Sequence, residues 1–338
     1  MPSLHHDPSA SSEFLWILCN PGSENALKQE VHASGLEWRP SYQEKGFVTF
    51  KSPLGGPLFS RSDLLRPFAC ARRMALSLGK FPDVEAARAA ACAFDGIEIH
   101  QVKISRRDSL QHVHPAPRLP QKGAAIATLI ETESGACWAG VHWHAEFLSP
   151  DPGGASCIEM PAHSPSRAWL KWEEARRFWQ LDFANDEIFV ELGCAPGGVL
   201  LALLERGHGV IGVDAANLSD CLASYAVPTR AAAPTHGPWL YHCRRPAALC
   251  GKKDLGSGIA WFMSDMNQRP AVVLQECARF CQMCGTIRGV FINLKLTDFS
   301  ELSEQAQWIG ALHQLGFSTV RLQQMLPHHR EFALLGLR

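Results

Sequence analysis

Residues 190–198 read Val190-Glu191-Leu192-Gly193-Cys194-Ala195-Pro196-Gly197-Gly198, a buried-type strand that runs into a glycine-rich turn and then an apolar helix. Glycines let a ligand approach the backbone, and Pro196 stiffens the turn where the helix begins. A second apolar run ends in Asp214, 23 residues beyond Glu191, where an acid at a strand tip can accept hydrogen bonds from ribose hydroxyls. The combination predicts a nucleoside-cofactor site. The spacing is not G-x-G-x-x-G, and no G-x-x-x-x-G-K-[ST] occurs, which argues against a dinucleotide oxidoreductase and against a nucleoside triphosphate. The acid-first form E-L-G-x-A-P-G-G favours S-adenosylmethionine, with Glu191, Gly193, Cys194, Ala195, Pro196, Gly197, Gly198, Asp214 and Asp265 as its expected contacts.

Ligands of a parallel sheet sit outside the carboxyl ends of its strands, so charged residues at those ends are candidate reactive groups. Asp265 follows the apolar strand Ile259 to Met263, and Lys295 ends the strand Val290 to Leu294. Glu331 opens the final strand, which runs antiparallel and so starts on the same edge. Lys171 lies on a helix leading into this half, at a position that strand order does not set. Two amines and two carboxylates cancel in charge, which lets such a cluster be partly buried. The chemistry expected is proton removal from a hydroxyl by an amine, held and oriented by the acids. A free lysine titrates near about 10.4, so a base at neutral pH requires a neighbouring cation such as Lys171, or desolvation.

The elements that must position these groups are legible in outline. Strands are expected at 188–192, 210–214, 239–241, 259–264 and 290–294, with helices at 198–205, 271–283 and 301–315 between them, the rhythm of an α/β sheet covered on both faces. The runs 318–323 and 331–337 are joined by too short a loop for a crossover and predict a terminal antiparallel hairpin. Residues 1–82 read as a small α+β unit, with strands at 14–19 and 46–50, a helix at 24–33 and a further helix over 68–78. Residues 83–150 read as a second, with a helix at 84–94 and strands at 97–104, 124–130 and 137–147. The Pro, Gly and Ser of 151–165 mark a linker, and 166–338 form the α/β domain.

At 338 residues the chain suggests about two domains at roughly 150 residues each, and 46% hydrophobic against 19% charged residues gives it enough apolar surface for a core. Lys plus Arg number 32 against 33 Asp plus Glu, so nucleic-acid contact would have to come from local patches rather than from a whole-molecule field. Arg72, Arg73, Lys103, Arg106 and Arg107, in the N-terminal half, are candidate phosphate contacts should the partner be RNA. Twelve unpaired-looking cysteines fit a reducing compartment. The one apolar run near the start, Phe14 to Cys19, reads as a strand rather than a signal peptide, and no run approaches the ~18 residues of a membrane span; a soluble, cytoplasmic protein is expected. Cys277, Cys281 and Cys284 have the spacing of an iron-sulfur site, but they fall at i, i+4 and i+7 of a helix, where thiols face a core. His142 with His144, and His112 with His114, share a strand face without a third ligand at a telling spacing, so no metal is expected.

Together these residues resemble the FtsJ-like RNA 2'-O-methyltransferases, whose K-D-K-E tetrad corresponds to Lys171, Asp265, Lys295 and Glu331. Within that group the sequence is most similar to the large-subunit ribosomal RNA methyltransferase M family. The likeness is carried by Ser164 to Arg167, Leu170-Lys171 with Glu173-Glu174-Ala175, the glycine turn, Ser264-Asp265-Met266 with Arg269-Pro270-Ala271, Phe291 to Leu296, and His328 to Glu331. The resemblance implies a class I (Rossmann-like) methyltransferase domain preceded by ferredoxin-like and THUMP-like units. It implies S-adenosylmethionine as cofactor and methyl transfer to a ribose 2'-hydroxyl of a cytidine in 23S ribosomal RNA, with Lys295 as base. The alternative is an RNA-binding or ribosome-assembly factor that keeps the fold without turnover. The sequence departs from the family pattern in three places: Tyr241 to Pro246 lacks the usual third-strand acid, Thr297 stands where proline is common, and Val199 where an aromatic is usual.

Overall fold

Residues 10–94, 97–105, 109–112, 120–145, 148–156 and 158–338 are described by a computed structural model. The chain divides into two units, 1–157 with 177–181, and 158–176 with 182–338. Arg106, Arg107, Val113, His114 and Phe147 lie outside the described residues.

The N-terminal unit is built on β1 (Phe14–Cys19), α1 (Glu24–Ala33), β2 (Arg39–Glu44), β3 (Phe47–Lys51), β4 (Ala71–Phe81), α2 (Val84–Cys92), β5 (Glu98–Ser105), β6 (Ser109–His112), β7 (Ala125–Glu131) and β8 (Cys137–Trp143). These strands form one eight-stranded sheet in the order β2-β3-β1-β4-β8-β7-β5-β6. The boundary expected after residue 82 therefore falls inside a continuous sheet, because β4 pairs with β1 on one side and with β8 on the other. Of residues 68–78, expected as a helix, 71–78 lie in β4 instead. Ala, Leu, Met and Arg favour a helix locally, but a central position with ladders on both edges overrides that preference. Pro40 sits on β2, at the sheet's edge, where its missing N–H costs no central ladder bond.

The C-terminal unit holds the remaining elements: most of α3 (Ala168–Phe178), then β9 (Ile188–Leu192), α4 (Gly198–Leu204), β10 (Gly209–Val213), β11 (Trp239–Cys243), α5 (Lys252–Leu255), β12 (Ile259–Ser264), α6 (Pro270–Cys284), β13 (Gly289–Lys295), α7 (Gln305–Gln314), β14 (Thr319–Gln323) and β15 (Glu331–Leu337). Its seven strands run in the order β11-β10-β9-β12-β13-β15-β14, or 3-2-1-4-5-7-6 in the sequence order of this unit. β15 alone opposes its neighbours, lying antiparallel to both β13 and β14. The expected hairpin is present, and its second strand lies inside the sheet rather than at the edge.

The core follows from strands buried on both faces. Phe189, Val190, Val210, Ile211, Phe262, Val290 and Ile292 have no exposed surface, as near-continuous apolar runs in a parallel sheet require. On helix α6, Pro270 occupies the first turn, where its missing N–H is harmless, and Gly285 ends the helix in the left-handed region. Cys277 and Cys281 face the core and Cys284 is half-buried, so this spacing follows a helix face.

Candidate active site

Strand register gathers the charged residues. β13 and β15 pair so that Lys295 stands opposite Glu331 across one rung. Parallel pairing of β9 with β12 aligns Leu192 with Ser264, and the Asp265 N–H donates to Leu192 O at 3.1 Å. The Gly193 N–H donates to Val213 O at 3.0 Å, which places Asp214 beside the glycine turn. Lys171, whose position the strand order left open, comes from α3.

The structure brings Lys171, Asp265, Lys295 and Glu331 together. Lys171 Nζ lies 2.7 Å from Glu331 Oε2 and 3.5 Å from Asp265 Oδ1. Lys295 Nζ lies 3.2 Å from the same Asp265 oxygen and donates to the Asp265 carbonyl at 2.8 Å. The two amines therefore share one carboxylate oxygen, while Glu331 pairs with Lys171. The four side chains keep between 13% and 24% of their surface exposed, enough to meet a substrate and little enough to remain ordered. Asn293, which the sequence reading passed over, lies two residues before Lys295 on the same strand face, and its amide donates to Asp265 Oδ1 at 3.4 Å. An asparagine inside an otherwise apolar strand was the available signal: buried polar groups require partners.

Beside this cluster is a cleft of about 400 Å³, within the range of small-ligand sites. Its walls include Glu191, Gly193, Cys194, Ala195, Pro196, Asp214, Asp265 and Lys295, together with Ser166, Arg167, Ala168 and Met266, which the sequence reading did not assign to it. Glu191 is 2% exposed, and its Oε2 has no hydrogen-bond partner among the described residues. Burial pushes its carboxyl well above the ordinary carboxylate range, and the nearby Asp265 and Asp214 reinforce the rise. A buried, unpartnered acceptor on the wall of a cleft is a place for a ligand's donor.

Asp214 turns out to organise the turn. Its two oxygens accept from the Ala195 N–H at 3.0 Å and the Ala216 N–H at 2.9 Å. Gly193 sits at φ 71°, and a Cβ there would lie 2.8 Å from the Met266 backbone, so only glycine fits. Gly197 and Gly198, expected to touch the cofactor, do not line the cleft. A side chain on Gly197 would collide with Leu222, and one on Gly198 with Ser166 and the Trp169 backbone, so these two glycines serve packing.

The expected RNA contacts of the N-terminal unit fare differently. Arg72 and Arg73 are each 1% exposed and cannot reach a phosphate. Arg73 donates to Ser149 O at 2.6 Å and Asp151 O at 2.9 Å and meets His142 Nε2 at 3.0 Å, while Arg72 donates to Gly154 O. They are internal staples for the segment at 149–154. Lys103 is half-exposed and paired with Glu131.

A sheet of order 3-2-1-4-5-7-6 with an antiparallel seventh strand, and a glycine turn after its first strand, defines the class I methyltransferase fold. No protein-family model matches the chain. The chain is similar to ribosomal RNA large subunit methyltransferases M. It is 27% identical to that of Yersinia enterocolitica over 215 residues, 61% of this chain and 54% of that protein. It is 24% identical to that of Thauera aminoaromatica over 331 residues, 86% of each. The chain thus spans about half the length of the Yersinia enterocolitica relative. Among solved structures, TrmN from Thermus thermophilus overlaps 96% of this chain and 99% of its own at 12% identity and a TM-score of 0.33. No helix among the described residues is long and apolar enough to cross a membrane.

Proposed function

We propose that this protein is an S-adenosylmethionine-dependent RNA methyltransferase that modifies a ribose 2'-hydroxyl, on a cytidine of 23S ribosomal RNA. The observation that carries the reading is the meeting of Lys171, Asp265, Lys295 and Glu331 beside a cleft walled by the glycine turn. The similarity to ribosomal RNA methyltransferases supports the substrate class.

The cleft suits the cofactor's chemistry. Glu191 offers a buried unpartnered acceptor to a cationic or hydroxyl group, and Gly193, with no side chain, lets a nucleoside approach the turn. When bound, S-adenosylmethionine supplies an electrophilic methyl group.

The residues of the chain do the rest by alignment and proton removal. Lys295 Nζ is the proton acceptor for the ribose hydroxyl. Asp265 fixes that amine through its carbonyl and Oδ1, and Asn293 fixes the Asp265 carboxylate in turn. Lys171 contributes positive charge at the same carboxylate oxygen, and Glu331 keeps Lys171 in place. The near-cancellation of two amines and two acids limits the desolvation cost of holding them together.

The test is methyl transfer from radiolabelled cofactor to large-subunit ribosomal RNA, wild type against Lys295→Ala, with the 2'-O-methyl positions mapped. Incorporation at one ribose that disappears in the variant is expected. No incorporation by either protein, with RNA binding intact, would establish the non-catalytic RNA-binding reading, for which the missing third-strand acid speaks. Incorporation on a base rather than a ribose would overturn the role given to the lysine.

A further inference from the structure

At the tip of β11, outside the cleft just described, two cysteines and an aspartate come together with no part in the proposed chemistry. Cys243 ends the strand, Cys250 follows a short turn, and Asp254 lies on α5; one donor atom from each falls within 4.8 Å of the others. We propose that Cys243, Cys250 and Asp254 bind a zinc ion, with water as the fourth ligand.

Geometry favours the metal over a covalent bridge. The two sulfurs are 3.8 Å apart. In a tetrahedral site with zinc-sulfur bonds of about 2.3 Å, the edge joining two sulfurs is about 3.8 Å, so an ion enters without moving either one. A disulfide would draw them to about 2.0 Å, roughly half the present separation. Asp254 supplies the hard oxygen donor common in zinc sites. It already accepts from the Gly251 N–H at 2.8 Å and pairs with Arg245 at 3.2 Å, and a carboxylate's roughly four acceptor positions leave room for a cation.

Access and charge fit the same ion. Cys243 and Cys250 are 2% and 1% exposed, whereas the Asp254 side chain is 19% exposed and opens the site to solvent for the ion and its water. Two thiolates, one carboxylate and a dication sum to a single negative charge, which Arg245 offsets. Arg279 donates to Cys250 O at 2.8 Å and to Ala247 O at 2.7 Å, so the turn carrying the second sulfur is already held in place. His242, next to Cys243, donates from Nε2 to Asp214 O at 3.0 Å and is committed elsewhere. The ion would tie residues 243–254 to the strand edge that also carries Asp214, at the place where the sequence lacks the usual third-strand acid. The inference is independent of the methyl-transfer reading. It revises the expectation that no metal binds, which rested on spacing: residues at i, i+7 and i+11 match no familiar zinc motif.

The experiment uses the full chain, purified with a phosphine reductant from zinc-supplemented culture and desalted. Elemental analysis should find about one zinc per chain. Cys243→Ser and Cys250→Ser should each lose at least ~90% of it, while Cys277→Ser/Cys281→Ser, which removes the thiol pair of α6, should keep it. Should a serine variant fold poorly, cobalt(II) added to the metal-free wild type decides the matter, with thiolate-to-cobalt charge transfer and the strong visible bands of a tetrahedral ion expected. Metal-free wild type that takes up no zinc and gives no cobalt bands overturns the proposal. So does a 243–250 disulfide in reductant-free protein that resists zinc, or full zinc retention in the Cys243→Ser/Cys250→Ser double variant.

Discussion

In the N-terminal unit, Arg72 and Arg73 are 1% exposed and spend their donors on backbone carbonyls at 149–154 and on His142. Asp151, 1% exposed, is held in the same unit by Arg177 through two bonds of 2.6 and 2.7 Å. In the C-terminal unit, Lys171, Asp265, Lys295 and Glu331 keep 13–24% exposure and bond mainly to one another. Under the proposed function, the difference separates structural charge from chemical charge. A guanidinium buried against backbone carbonyls is fixed and desolvated, and it stabilises by pairing acceptors that burial would otherwise strand. An amine whose partners are carboxylates on a cleft retains exposed surface and can exchange a proton with a substrate.

Substitutions can break this contrast if it is wrong. Lys295→Ala should lower methyl transfer by about 10³-fold, the scale of a lost general base, while the thermal midpoint stays within a few degrees of wild type. A large loss of stability in that variant would place Lys295 with the structural arginines. Arg73→Met should do the reverse: chemical denaturation should reveal a loss of about 3 kcal/mol or more, because two carbonyls and His142 lose their partner at once, with residual activity tracking the folded fraction. Glu191→Gln replaces the buried, unpartnered carboxyl of the cleft wall with an amide. Calorimetric affinity for S-adenosylmethionine should weaken by about tenfold with the fold intact.

A pH series sharpens the comparison further. In the N-terminal unit burial holds His142 well below the ordinary histidine range and His144 down to about 4, with Arg73 adding to both shifts. The unfolded chain therefore takes up protons below about 6.5 while the folded unit resists them. Stability from these two histidines is whole above about 6.5 and is lost progressively as pH falls toward about 4. Glu191 has the opposite sign: its raised folded-state value makes its contribution present at low pH and lost as pH rises. Unfolding midpoints from pH 7.5 to 4.5 should fall for the unit carrying the histidines, and His144→Asn should flatten that fall modestly. A midpoint that rises on acidification, unchanged in the variant, would contradict the assignment.

Much of the C-terminal unit was legible because its signals are local. The apolar run Ile188 to Leu192 is followed by a turn that only glycine at 193 permits, and a strand-end rule places Asp265, Lys295 and Glu331 on one edge. Where the local signal competed with tertiary pairing, the reading failed. Residues 71–81 have helix-favouring composition and form a central strand, and the Arg72-Arg73 pair resembles a solvated basic patch while lying in that strand's buried part.

The amino-acid order by itself determined the alternation of strands and helices, the glycine turn and the kinds of charge at the strand ends, since each depends on neighbours a few residues away. Only the tertiary structure decided which charges meet. Lys171 joins Asp265 and Glu331 from a helix more than ninety residues away in the chain, Asn293 finds Asp265 across a strand boundary, and Cys243, Cys250 and Asp254 converge at a spacing without a motif. Burial and proximity are properties of the packed chain, and they set whether a charged side chain is a staple or a reagent.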